Sequence, residues 1–408
     1  MQIGFINFNT DEKKRVAKLM QLLQESEAIE ELGIGRVRDH FSNTLFPGTS
    51  TLQHHAKYFA VLPSLYYHAA YKDRRFNSLA EVDRYIKEAE VQITRQLAED
   101  SDGNPKTDVK GITGIDTYKE ALKDYHKFVK YDPMYIYGSG LARYDIIPDT
   151  AIERLILELN NKYFADPHNK MMKSDNDQTD DTNDLTGNRQ LIRTCGESYH
   201  FFEGKTMSLA LSEKEANFLR DRIYATCQES MLSFLIERKD DIPERTDYYD
   251  VDGLLQNETQ DFVDIYQKSV LFSKLIYLID WRYNYCYYNS FQRTEEATTC
   301  DNSYKAQLEQ FNKTIADENA YQSLFEYTRP IDSILTTFCE SCYQAIRGGM
   351  TQKVDQKVKE REHTVKRDRS KIGNKAYKDT QRGNPVPNTF RWETVRTMVN
   401  EIRNPYKL

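Results

Sequence analysis

Apolar residues recur about every three or four positions along most of this chain, and that spacing predicts helices. The densest pattern follows Pro47-Gly48, a pair that forces a turn. A hydroxyl of Thr49, Ser50 or Thr51 is then placed to accept from the free N–H groups of a helix that starts there. Leu52, Ala56, Phe59, Pro63 and Tyr66 form one apolar stripe on that helix, and Tyr58, Leu62, Leu65 and Ala69 form a second. It therefore belongs in a core, bent at Pro63.

The same reasoning places further helices from Asp11 to Gln24, from Ser78 to Leu97, from Thr117 to Lys130 with Asp132-Pro133 closing it, and from Thr150 to Tyr163. Ser212 and Glu215 make an S-x-x-E capping box, and Ala216, Leu219, Ile223, Cys227, Ser230 and Phe234 carry one helical face on toward Glu237. Helices over 260–287 and from Ile315 to Ile346 complete a bundle that Gly348-Gly349 interrupts. A charged helix from Gln352 to Lys371 has only Val354, Val358, Val365 and Ile372 as its seam, too thin a stripe to anchor it firmly. Trp392, Val395, Val399 and Ile402 mark a short last helix. A β-like stretch, Met1 to Phe8, needs a partner, for which Met134 to Tyr137 is the candidate. The fold class predicted is mainly α: an irregular multi-helix bundle in two lobes with at most a small β element near the N-terminus.

The polar run SDNDQTDDTND interrupts this pattern with almost no apolar content and several like charges, which predicts a solvated linker. The chain then divides into an N-terminal helical lobe (1–168), an acidic flexible loop (169–190), a helical bundle (191–350) and a basic C-terminal helical segment (351–408).

Composition sharpens the last of these. The net charge of −7 hides an asymmetry: from Thr351 to Leu408 fifteen Lys/Arg stand against seven Asp/Glu, a net of +8 on a body of −15. A basic segment on an acidic body points to a polyanion contact or an intramolecular clamp. The 28 tyrosines suit half-buried helix contacts as readily as a ligand-stacking surface. No charged-then-apolar leader opens the chain, the most apolar helix carries Asp264, Lys268, Lys274 and Asp280, and the six cysteines lie mostly in helical context. These features predict a cytoplasmic protein with reduced thiols and no membrane span.

No stretch carries a complete reaction signature. Cys339-x-x-Cys342 has no second Cys pair or His cluster nearby and sits in a helical pattern, so no metal and no cofactor is expected. Gly33-Ile-Gly35 followed by Arg36 and Arg38 reads either as a phosphate-binding nest or as a helix-to-helix turn. His54-His55 face different directions on a helix, the wrong geometry for one metal, although His54 with Gln53 and Lys57 makes a polar face. Arg36, Arg38, Asp39, Gln53, His54 and Lys57 are accordingly the candidates for a phosphate or polar site, and Arg36, Arg38, Asp39, His54 and Lys57 for a catalytic one if the protein is an enzyme. The cationic candidates for nucleic-acid contact are Arg361, Lys366, Arg367, Arg369, Lys371 and Arg391. The alternative for that run is a solvated helix surface in which Glu362 pairs with Lys366 at i,i+4.

The segments LGIGRVRDHFSNTLFPGTSTLQHHAKYF, GITGID, YIYGSGLARYDI, LSEKEANFL, EREHTVKRDRSKIGN and FRWETV, in that order, resemble an uncharacterised bacterial family. The chain departs from the family pattern at His54-His55, where Thr-Arg is usual, and at Tyr137-Gly138, where Tyr-Trp is usual; the first change removes an Arg from a helix weighed for phosphate contact. No catalytic residues carry over. The family is similar to a component of antiviral defence clusters of the Azaca type, encoded near a helicase and a phospholipase-D-like nuclease. The resemblance implies a non-enzymatic antiphage subunit that acts as adaptor for a helicase-nuclease partner, with DNA or RNA as the polyanion. A purely structural scaffold and an enzyme are the other readings.

Overall fold

The computed structural model describes residues 31–406 apart from 73, 108, 167–190, 204, 239–241, 244, 256–257 and 259–260. The strand expected from Met1 to Phe8, the helix from Asp11 to Gln24 and the acidic loop lie outside the described residues. The protein is mainly α-helical and built of many helices; among the described residues no strand forms, and an isolated bridge joins Glu99 to Pro105. No described helix is long and apolar enough to cross a membrane.

The helices gather into two compact units that do not follow chain order. The first comprises Met1–Phe41 and Asp264–Phe390, the second Ser42–Val263 and Arg391–Leu408. The four-part division expected from the sequence runs differently, because residues 351–390 group with 264–350 while the closing helix groups with 42–263.

In the first unit the spine is the helix Asp261–Ser290, from Asp264 onward. It is apolar on nearly every face, with Leu275, Leu278, Ile279 and Tyr287 sealed from solvent, as a helix surrounded by others requires. The single helix expected from Ile315 to Ile346 is two, Glu318–Thr328 and Ser333–Arg347. Pro330 disfavours helical backbone before it, and Asp332 starts the second helix by accepting from the Leu335 N–H at 2.9 Å. Thr294–Gln310, a helix the periodicity missed, has too little apolar content to stand out.

The helix Thr351–Lys366 overturns the expectation of a loosely held basic rod. It packs on Ser333–Arg347 with Val354 and Val358 fully buried. Its stripe is thin, but Asp355 adds a bidentate ion pair with Arg282, both N···O distances 2.7 Å. Arg282 is 2% exposed and also reaches Asp301 at 2.5 Å, with its guanidinium over the Tyr285 ring at 4.0 Å.

In the second unit the helix Lys57–Tyr71 is central and packs against Ile152–Ala165, Leu79–Ala98 and Pro133–Arg143. It starts later than the Ser/Thr cluster suggested. Thr49 turns its hydroxyl back to the Phe46 carbonyl at 2.7 Å, and the free N–H of Ala56 is met by Glu401, 345 residues away, at 2.6 Å. Met134 to Tyr137 is not a strand. Asp132 accepts from the Tyr135 N–H at 2.9 Å with Pro133 at the first helical position, so the pair expected to close a helix opens one. Of the helix expected from Thr117 to Lys130 only Tyr118–Ala121 and a tight turn at Tyr125–Lys127 form. Asp124 draws the His126 N–H to its own side chain at 3.2 Å and so competes with the helical ladder. Ser230 does the same for Ser233, at 3.2 Å, and divides the stretch after the capping box into Glu213–Cys227 and Met231–Glu237. The capping box itself forms as expected.

Candidate functional site

The basic segment of the first unit is organised by one carboxylate. Glu362, 1% exposed, accepts from the Tyr283 hydroxyl at 2.6 Å and from the backbone N–H groups of Lys371 and Ile372 at 2.7 and 3.2 Å. Its oxygens therefore fold the chain back after the helix instead of closing an i,i+4 bridge with Lys366. The reversal is completed at Arg367, which takes φ +51 where Thr351–Lys366 ends.

From there to Asn388 the backbone is strapped to side chains of the spine helix. Ser290 accepts from the Gly373 N–H at 2.9 Å, Tyr287 donates to the Tyr377 carbonyl at 2.6 Å, Asn284 donates to Gly383 at 3.0 Å, and Ser273 donates to Asn388 at 2.8 Å. A segment of low apolar content is thus fixed by hydrogen bonds from a buried helix.

The cations of this segment fall into two groups. Arg361 donates to the Leu32 carbonyl at 2.9 Å and lies over the Phe338 ring; burial lowers its pKa. Lys366 is buried, and burial likewise lowers its pKa. Lys371 is paired with Glu31 at 2.7 Å. By contrast Arg367, Arg369, Lys375 and Lys378 are exposed and make no side-chain hydrogen bond or ion pair with described residues. Asp368 and Asp379 lie among them, also exposed. Arg391 belongs to the second unit, where it donates to Asn43 at 2.8 Å and to the Thr49 carbonyl at 2.6 Å.

Beneath the strap lies a cavity of about 300 Å³ whose lining includes Glu31, Asp280, Tyr283, Asn284, Arg382 and Asn388. Arg382 donates to Asn284 at 2.7 Å and to Glu31 at 3.3 Å, with its guanidinium 4.5 Å from the Tyr283 ring centre. Burial alone would raise the Glu31 carboxyl, but the hydrogen bond from Lys371 and the charge of Arg382 outweigh it and hold it at about 2. Asp280 has no hydrogen-bond partner among the described residues. Burial pushes its carboxyl up to about 7, with Arg382 pulling it down and Glu31 pushing it up.

A carboxyl raised in this way holds a proton in the folded state that the unfolded chain releases, so its contribution to stability falls as pH rises from the ordinary carboxylate range to about 7. Asp280→Asn cannot ionise and is expected to remove this slope. The gain at pH 8 over pH 5 should be about 1–2 kcal/mol after allowance for partial solvent access. Thermal unfolding of both proteins at the two pH values measures it, and an unchanged difference between them would contradict it.

A family model described as a family of unknown function (DUF6361) matches residues 1–123. Over that stretch the chain is similar to an uncharacterised family. The match takes in the segments Leu32–Phe59 and Gly111–Asp116, and stops short of the strap and cavity residues after Asp264. No curated protein and no solved structure matches the chain.

The other polar candidates are dispersed over different tasks. Arg36, Arg38 and Asp39 fall in the first unit, where Arg36 is exposed and Arg38 pairs with its neighbour Asp39 at 3.2 Å. Gln53, His54 and Lys57 fall in the second. Gln53 is buried and donates to the Ile136 carbonyl at 3.0 Å; His54 is exposed, and partial burial with the charges of His55 and Lys110 lowers its pKa. Lys57 is buried and paired with Glu215 at 2.7 Å, and Glu215 also accepts from the Tyr199 hydroxyl and from the Ser212 N–H at 2.6 Å. His55, passed over in the sequence, places Nδ1 2.7 Å from Glu401 and Nε2 2.7 Å from the Lys110 carbonyl. Both side chains of this pair are buried, 9% and 6% exposed. Cys339 and Cys342 are buried in Ser333–Arg347, and burial pushes both thiols up. Among the described residues no group of three His, Cys, Asp or Glu side chains is placed to hold a metal ion.

Glu31, Asp280 and Arg382 are the cavity residues that sequence reading missed. Asp280 did carry a signal: a carboxylate in the most apolar helix of the chain is costly unless it has a purpose or a partner.

Proposed function

We propose that the protein is a non-enzymatic subunit of a bacterial antiphage defence system, an adaptor for a helicase-nuclease partner that contacts nucleic acid through its basic segment. The observation that carries the nucleic-acid part is the separation of cations on the strap. Arg361 and Lys371 are held inside the unit, whereas Arg367, Arg369, Lys375 and Lys378 project into solvent from a backbone that hydrogen bonds hold in place. Cations without internal partners on a braced backbone suit phosphate contact, because little ordering of the chain opposes binding. The adaptor role rests on the family resemblance.

Such contacts carry no base information, so replacing the four cations with Ala should weaken binding to DNA and RNA of any sequence alike. The slope of log K against log salt should fall by about 3. Fluorescence anisotropy over a salt series measures both quantities. Absence of binding in low salt, by the protein alone and with its operon partners, would refute the nucleic-acid contact. Failure of those partners to co-purify would refute the adaptor role.

A further inference from the structure

The cavity under the strap belongs to the same unit as the exposed cations, and its hydrogen-bonding capacity is unevenly used. Glu31 is occupied by Lys371 and Arg382, and Asn284 is occupied at both ends, donating to Gly383 and accepting from Arg382. The carboxyl group of Asp280 is the charged lining group with no hydrogen bond among the described residues. Around it the walls are flat or apolar: the rings of Tyr277 and Tyr283, Pro385 and the 79% exposed Val386. A volume of about 300 Å³ lies at the small end of ligand pockets, room for one flat ring system.

We propose that this cavity takes one unstacked guanine base of a nucleic-acid strand, with the Asp280 carboxylate accepting from the adjacent N1–H and exocyclic N2–H groups of the base. A carboxylate presents two acceptors side by side, and guanine is the base whose Watson–Crick edge presents two adjacent donors. Adenine and cytosine place a ring acceptor beside their amine, and thymine and uracil flank their single N–H with carbonyls, so each would set an acceptor against the carboxylate. The charge balance agrees. Glu31, Lys371 and Arg382 sum to one positive charge and ionised Asp280 cancels it, so a neutral base is matched where a strong cation or anion is not. Pro385, Val386 and Tyr277 supply the walls against which an unstacked base rests. The cavity also lies within reach of the phosphate contacts. Lys371, whose ammonium is bound to the cavity residue Glu31, is two residues after Arg369, a backbone separation of about 7 Å at most.

This inference deepens the nucleic-acid reading and rests on it for the strand, while the base site can be tested by itself. Equilibrium dialysis of the full chain at pH 8, where the raised Asp280 carboxyl is ionised, against guanosine, adenosine and cytidine is expected to show a preference for guanosine of about tenfold or more. Asp280→Asn should abolish that preference while leaving binding of a single-stranded oligothymidylate, and its salt slope, unchanged. The variant with Arg367, Arg369, Lys375 and Lys378 all replaced by Ala should show the reverse, with oligonucleotides weakened and guanosine retained. Equal binding of the three nucleosides by the wild-type chain, or a guanosine preference that survives in Asp280→Asn, overturns the base site. Oligonucleotide binding that persists beside equal nucleoside binding removes the cavity alone, and a guanosine preference without oligonucleotide binding removes the phosphate strip alone.

Discussion

Arg282→Ala is expected to destabilise the first unit by about 3–5 kcal/mol, among the largest effects of any single substitution in the chain. The guanidinium is 2% exposed and holds Asp355 through two hydrogen bonds of 2.7 Å and Asp301 through one of 2.5 Å. Truncation leaves the Asp355 carboxylate without its cation and Asp301 with Lys305 alone, and it removes a packed surface between the Tyr285 and Tyr304 rings. Arg282→Lys restores the charge but not the planar fork and should recover less than half of the loss. Chemical denaturation followed by tryptophan fluorescence reads the effect, since Trp281 lies in this unit and Trp392, the other tryptophan, lies in the second. A loss below about 1 kcal/mol would mean that the thin apolar seam of Thr351–Lys366 suffices by itself.

Glu215→Ala is expected to have a comparable effect on the second unit, again about 3–5 kcal/mol. Glu215 is 1% exposed and combines a capping contact to the Ser212 N–H with the pairing to Lys57. Its removal strands a buried ammonium beside the Ala210 carbonyl, 3.3 Å away, and leaves the Tyr199 hydroxyl without its carboxylate. The penalty is mostly that of an unpaired buried charge, so removing both charges should be far milder than removing one. The double variant Lys57→Met with Glu215→Gln, whose amide keeps an acceptor oxygen for the Ser212 N–H and turns its NH2 toward the Tyr199 oxygen, should recover at least half of the loss. A double variant as unstable as Glu215→Ala would show that packing, and not the stranded ammonium, dominates.

The Lys57 case shows why sequence reading of the candidate sites succeeded only in part. Residues 53, 54 and 57 share a short stretch and were read as one polar face, yet Gln53 binds the Ile136 carbonyl, Lys57 binds Glu215 and His54 faces solvent. Proximity in sequence put these side chains near one another, and separate distant partners divided them. The basic run from Arg361 to Lys371 was legible as cationic, but which of its members are free was not. Arg361 and Arg369 look alike in the sequence, and the Leu32 carbonyl, 329 residues away, with the Phe338 ring holds the first and not the second. The expected weakness of the last charged helix failed for a related reason: a count of apolar positions takes no account of Asp355 meeting Arg282 across 73 residues.

By itself the sequence determined the local features, the helical class and the positions of turns and caps such as Ser78, Ser212 and Pro47-Gly48, because helical hydrogen bonds and caps join residues at most a few positions apart. Tertiary structure alone decided the partner of each buried charge: Glu31 with Lys371 over 340 residues, His55 with Glu401 over 346, and Lys57 with Glu215 over 158. An ion pair depends on two atoms meeting in space, so no periodicity along the chain records it. The same holds for the cavity at Asp280, whose walls come from residues before Gly35, the middle of the spine helix and the strap that closes after Arg382.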